Sequence, residues 1–238
     1  MKLPLQDWFE ARRTRRSLSD DIRARLQAAR RQFTDRPSLD EPLALARLVA
    51  LDIETTGPDM HADRIISIGA VAVTARTVRH DDALEVLLRQ DCSSAVDNIL
   101  VHQIGGQQQL AGEDPVTGLV RCLEFIGPSR ILAFRAEFDA TVFRREIRAQ
   151  LGLRAWPRFI DLAILLPALF PGTDNDSLDD WLLHFALPPI ARHHAIADAY
   201  ANAQLLLLAL AQAQRYGIET ASGLRDVERA QRWLGCRR

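Results

Sequence analysis

Leu48-Val49-Ala50-Leu51 is wholly apolar, and the chain then alternates through Asp52-Ile53-Glu54-Thr55-Thr56-Gly57. In an extended strand successive side chains face opposite ways, so Asp52 and Glu54 share one face while Leu51 and Ile53 share the other. A first strand is therefore predicted over about 47–53. After a turn at Gly57-Pro58, the β-branched stretch from Arg64 to Val73 predicts a second strand. A third follows over 83–89, where Leu84, Val86 and Leu88 alternate with Glu85 and Leu87. Short connections make these three an antiparallel meander. Residues 91–113 show no period and are expected to be irregular.

Beyond them the period lengthens. Asp114-Pro115 opens a helix through about Ile126, stopped by Gly127-Pro128. A short buried strand is predicted over 129–134, a helix over 138–150 ended by Gly152, and a strand or helix entry over 158–161. Ser177 and Asp180 have capping-box spacing before a helix over 178–185. A long helix is predicted over 194–216 with Gly217 as its C-cap, and a final one over 224–234. Near the N-terminus, Ser19 or Asp20 can cap a helix through about Arg31, with Ile22, Leu26 and Ala29 on one face. Pro37 and Pro42 bracket the loop to the first strand.

Strands first, then strands alternating with helices, predict an α/β sheet with helices on its faces. The expected layout is an arginine-rich helical extension over 1–45, a main domain over 46–216 and a C-terminal helix over 217–238.

Composition narrows the class. The 238 residues are 47% apolar and 26% charged, ordinary for a soluble globular protein. No apolar run of about 18 residues predicts a membrane span, and the start shows no apolar signal segment. Cys92, Cys122 and Cys236 form no C-x-x-C pair, so neither a disulfide framework nor a zinc site is expected, and a reducing cytoplasm is the simplest setting. The net charge of −1 hides a local excess, because residues 11–36 hold nine arginines against three aspartates. Such a segment could attract a phosphate backbone or form a solvated helix face.

Two neighbouring carboxylates on a buried strand repel each other and resist desolvation unless a cation lies between them. A hard divalent ion such as Mg2+ suits them. Two more acids could join Asp52 and Glu54. Asp139 starts a helix just after the strand over 129–134, and Asp198 sits among Ala195, Ile196, Ala197 and Ala199, where a lone acid is costly. Each has an ordinary alternative: a solvated strand edge, an acid favoured by a helix dipole, or, for His193, a capping histidine.

Taken together, Asp52-Ile53-Glu54-Thr55-Thr56-Gly57, Phe138-Asp139 and His193-x4-Asp198 resemble the three motifs of the DnaQ-like, DEDDh 3′–5′ exonucleases. That family includes the proofreading epsilon subunit of bacterial DNA polymerase III, RNase T and oligoribonuclease. The resemblance covers about residues 46–212, including the strand from Asp63 to Gly69 and Asp161. It implies an RNase H-like mixed sheet, an antiparallel meander of three strands plus parallel strands. It implies that Asp52, Glu54, Asp139 and Asp198 hold two Mg2+ or Mn2+ ions and that His193 is the general base, with His194 its structural neighbour. Thr55, Thr56, Gly57 and their amides would contact the terminal nucleotide. His102, in an H-x-I segment, would lie near the site in a mainly structural role.

Two departures concern the substrate side. Phe134 and Arg135 stand where the family usually has His and Asn, and Arg135 is expected to meet a phosphate. Pro58 stands where a bulky aliphatic residue is common, a place Met60 could supply. The implied activity removes nucleoside 5′-monophosphates from 3′ ends of single-stranded DNA or RNA, with a polymerase or other protein as a conceivable partner. Two alternatives stay open: an exonuclease-fold binding module docking through its arginine segment, and a phosphohydrolase of small nucleotides.

Overall fold

The alternating stretches assemble into one five-stranded sheet in the order β3-β2-β1-β4-β5. Its strands are β1 (Arg47–Thr55), β2 (Ile65–Thr74), β3 (Thr77–Leu87), β4 (Arg130–Ala133) and β5 (Phe159–Asp161). The computed structural model describes residues 18–34, 41–154, 157–173, 175–187 and 192–235. β1, β2 and β3 pair antiparallel, whereas β4 runs parallel to β1 and β5 parallel to β4. The helices are α1 (Asp20–Thr34), α2 (Val96–His102), α3 (Gly106–Ala111), α4 (Pro115–Ile126), α5 (Glu137–Leu151), α6 (Leu162–Leu169), α7 (Leu178–His184), α8 (Ala195–Arg215) and α9 (Ala221–Gly235). This is the expected mixed α/β sheet flanked by helices.

Period-two alternation sorts the core into two layers. Val49, Leu51 and Ile53 face α4 and α5, packing with Leu123, Val142 and Phe143. Leu48 and Ala50 face the other way, against Ala199, Leu205 and Leu206 of α8 and the buried Trp181 of α7. Each fully buried large aliphatic or aromatic side chain contributes about 1.5–3 kcal/mol. By the same alternation Asp52 and Glu54 lie on the α8 side, which decides where the chemistry sits.

Local signals set most boundaries. Asp114 accepts from the Thr117 amide at 3.1 Å, and Ser177 and Asp180 form their reciprocal capping box. Gly152 takes a left-handed φ of 62° to end α5. Ser19 accepts from the Ile22 amide at 3.3 Å to start α1, whose Leu26 and Ala29 are buried with residues of α4. Arg25 forks onto Glu124 of α4 at 2.8 and 2.7 Å, so part of the arginine segment is engaged within the fold. Arg12, Arg13, Arg15, Arg16 and Arg36 lie outside the described residues, as does Cys236.

Three stretches differ from expectation. β3 begins at Thr77 instead of 83; Val71 pairs with Ala83 but Ala72 with Arg79, so residues 80–82 bulge out and their polarity hides the strand. Residues 91–113 contain the short helices α2 and α3. Of α6 only a strand or helix entry over 158–161 was expected: Leu162-Ala163-Ile164-Leu165-Leu166-Pro167-Ala168-Leu169 is apolar throughout, shows no period, and carries an internal proline. Among the described residues no helix is long and apolar enough to cross a membrane.

Candidate active site

Asp52 stands opposite Gly69 of β2, and that glycine controls how closely α8 approaches. A Cβ at Gly69 would fall 2.1 Å from the carbonyl carbon of Ala195 and 2.3 Å from the nitrogen of Ile196. The bare backbone therefore lets the first turn of α8 lie on the sheet beside Asp52. One turn beyond Asp198, the buried Asn202 donates from Nδ2 to the Leu51 carbonyl at 3.1 Å, tying α8 to β1. Gly69→Ala is expected to lower stability by about 3 kcal/mol or more, a fall in Tm of roughly 6–12 °C. An unchanged melting temperature would mean that α8 is not held by this approach.

Docked so, α8 carries the buried Asp198 to the two strand acids. Carboxylate oxygens of Asp52, Glu54 and Asp198 all lie within 4.8 Å of one another. Asp139, buried in the first turn of α5, lies outside that group of three, and its charge acts on Asp52 and Glu54 from there. Burial, then the charges of Asp139, Glu54 and Asp198, push Asp52 well above the usual carboxylate range. Burial, then Asp198 and Asp139, raise Glu54 to about 8. Burial raises Asp139 to about 7. With no metal ion bound, Asp52 and Glu54 hold protons at neutral pH.

A cation is in fact drawn in. The guanidinium of Arg192 donates to Asp198, and to Asp179 at 2.5 Å, and its charge opposes the upward shifts of Asp52 and Glu54. Arg192 thus occupies the electrostatic place of a metal. The donors are all hard carboxylate oxygens, a set that fits Mg2+ or Mn2+ and not a soft ion. Arg192→Met is expected to tighten Mn2+ binding by up to about tenfold, since one competing ion pair is removed. Calorimetry would show it; an affinity unchanged from the parent would place the guanidinium away from the ion.

The remaining expected residues fall into different places. His193 has a left-handed φ of 60°, and its amide donates to Asp198 Oδ2 at 3.0 Å while its side chain is exposed beside the cluster. His194 is the N-cap residue of α8. The hydroxyls expected to meet a nucleotide are committed within the turn. Thr55 Oγ1 donates to the Gly57 carbonyl at 2.6 Å, and Thr56 Oγ1 donates to Asp63 at 2.8 Å and accepts from the Arg64 amide at 3.0 Å. The Thr56 amide is likewise bonded, to the Arg64 carbonyl at 2.9 Å. Gly57 is needed because a Cβ there would fall 2.6 Å from the Asp63 carboxylate.

His102 is 1% exposed, with Nδ1 accepting from the Ile104 amide at 2.9 Å and Nε2 lying 3.5 Å from the Ser94 hydroxyl. The ring is engaged inside the α2–α3 turn, and burial lowers its pKa. Arg135 is exposed at a φ of 54° and donates to the Asp176 carbonyl at 3.1 Å, not to any of the four acids. Phe134 packs against the α6–α8 apolar layer. Arg192, Asn202 and Asn98, whose Nδ2 holds the Thr55 carbonyl at 2.6 Å, were not anticipated. A polar residue one turn after Asp198 in an alanine- and leucine-rich helix was the available signal for Asn202.

The model of the exonuclease family matches residues 49–206, about two thirds of the chain and all four acids. The chain belongs to that exonuclease family. It is a DnaQ-like member with the RNase H-like fold, and α1 and α9 lie outside the matched residues. It is 26% identical over 181 residues to the PolC-type DNA polymerase III of Caldanaerobacter subterraneus, covering 75% of this chain and 13% of that protein. The corresponding figures for the Thermotoga petrophila polymerase are 29% over 197 residues, 80% and 14%. This exonuclease chain therefore spans about a seventh of the length of those relatives. Escherichia coli Exonuclease I in complex with a dT13 oligonucleotide superposes with a TM-score of 0.61 at 18% identity, covering 72% of this chain and 42% of that one. That likeness concerns the fold.

Proposed function

We propose that the chain hydrolyses phosphodiester bonds at the 3′ ends of single-stranded nucleic acid and releases nucleoside 5′-monophosphates. Asp52, Glu54, Asp139 and Asp198 would hold two Mg2+ or Mn2+ ions. The observation that carries this reading is the convergence of the Asp52, Glu54 and Asp198 carboxylates within 4.8 Å, with the Arg192 guanidinium drawn to them. Ions bound there would activate a water and stabilise charge on the phosphoryl and leaving oxygens.

The chain's own groups supply the rest. His193 is anchored to Asp198 by its amide, and its imidazole would take the proton of the attacking water. Asp63 and Asn98 fix the turn after β1, giving the terminal nucleotide a rigid ledge next to Glu54. Arg192, once displaced from Asp198, is placed to meet a phosphate at the same cluster. The fold shared with the DNA-bound Exonuclease I supports a single-stranded substrate. The PolC-type relatives support work beside a polymerase.

The test is incubation with 5′-labelled single-stranded DNA and RNA in Mg2+, Mn2+ or EDTA. Stepwise shortening from the 3′ end, lost on chelation, is expected. Binding without shortening would make the chain a binding module, and hydrolysis of mononucleotides or dinucleotides alone would make it a small-nucleotide phosphohydrolase; either result overturns the proposal.

A further inference from the structure

A second polar cluster is buried behind the four acids, and two of its members come from the last helix. Asp161 ends β5, is 4% exposed, and accepts from the Ala163 amide at 3.0 Å to cap α6. Its backbone pairs with Ala133 at the end of β4, four residues before α5 begins at Glu137. From α9, the buried Glu228 accepts from the Asp161 backbone amide at 3.2 Å. Arg232, one turn further on, donates to Glu228 at 3.2 and 2.9 Å and reaches the Asp161 carboxylate at 3.6 Å. Asp161 in turn acts electrostatically on Asp139, in the first turn of α5.

A clamp between helix and sheet would not need these groups. Ala221 and Leu224 already bury the start of α9 in the apolar layer that contains α6. Two buried carboxylates sharing one guanidinium are costly to desolvate, and apolar residues in their place would hold the helix as well. What such a cluster adds is direction. It fixes Asp161, whose carboxylate caps α6 and whose backbone lies beside the end of β4 that leads into α5. The contacts run from α9 through Asp161 to Ala133, at the end of the strand that leads into α5 and Asp139.

We propose that Arg232 and Glu228 are positioning residues for the acidic site. Acting through Asp161, they hold the N-terminal turn of α5 so that Asp139 keeps its place beside Asp52 and Glu54. This makes α9, which lies beyond the family-matched residues 49–206, a working part of the nuclease. The proposal rests on the metal-dependent nuclease reading.

The test compares the full chain with its Arg232→Met, Arg232→Lys and Glu228→Gln variants, measuring Mn2+ affinity by calorimetry, kcat and KM on 5′-labelled single-stranded DNA, and thermal melting. The Arg232 side chain is 44% exposed, so the methionine variant has room to fold. Arg232→Met is expected to weaken Mn2+ binding and lower kcat by about 10–100-fold with KM unchanged, the usual scale for groups that orient metal ligands. Glu228→Gln should act in the same direction, and Arg232→Lys should restore both quantities. If Arg232→Met melts earlier but binds Mn2+ and turns over like the parent, the contact is structural only and the proposal is overturned. If the parent itself neither binds Mn2+ nor shortens the strand, the nuclease reading fails first and takes this proposal with it.

Discussion

Asp52→Asn is expected to abolish hydrolysis and yet raise the melting temperature of the metal-free protein. Asp52 is held well above the usual carboxylate range by burial and three neighbouring acids, so its charged form is disfavoured in the folded state. The sign of the linkage follows. A carboxyl whose folded pKa exceeds its unfolded value, near 4, keeps its proton in the folded chain after the unfolded chain has released it. The metal-free protein therefore loses stability as pH climbs from about 4, through the Asp139 value of about 7, towards the Glu54 value of about 8. A neutral isostere at 52 removes a group that the folded chain must keep protonated after the unfolded chain has released its proton. The gain should be about 1–2 kcal/mol, roughly 2–8 °C in Tm for a chain of this size, and larger at pH 8 than at pH 5. Mn2+ should raise the parent's Tm strongly and the variant's weakly. Identical melting of parent and variant at pH 8 would show that the acids are not under the repulsion described.

Replacing His193 separates chemistry from metal binding. The residue meets Asp198 through its backbone amide, at a left-handed φ of 60°. Asparagine tolerates that backbone, so His193→Asn keeps the contact while deleting the imidazole. Turnover should fall by about 10²–10⁴-fold, the scale for a lost general base, with Mn2+ affinity close to the parent's. His193→Ala should lower turnover comparably. Activity within a few-fold of the parent in both variants would reject the role of base.

Much of the sheet was legible because one strand period governed it. The alternation at 48–54 placed Leu51 and Ile53 in one layer and the two acids in the other, as the structure has them. Asp114, Ser177 and Gly152 marked helix ends because capping is local chemistry. Elements escaped where the local signal was mute. α6 lacks polar positions to set a period, and the start of β3 is hidden by a charged bulge. In the site, Asp139 and Asp198 could be matched by motif, but the roles of Gly69 and Asn202 exist only once α8 meets β1 and β2. Arg192 neighbours His193 in sequence, yet its charge matters only because tertiary structure gathers acids around it. The threonines after Glu54 show the converse. The family resemblance implied substrate contacts for them, and in the structure their hydroxyls bond within the turn.

The central claim is that Asp52, Glu54, Asp139 and Asp198 form a divalent-metal site that Arg192 fills when no metal is bound. Anomalous diffraction from crystals grown with Mn2+ tests it most directly. The expected map has Mn2+ peaks between these four carboxylates, with the Arg192 guanidinium withdrawn from Asp198. Ordered acids with no anomalous peak among them, and Arg192 still paired to Asp198 at saturating Mn2+, would contradict it.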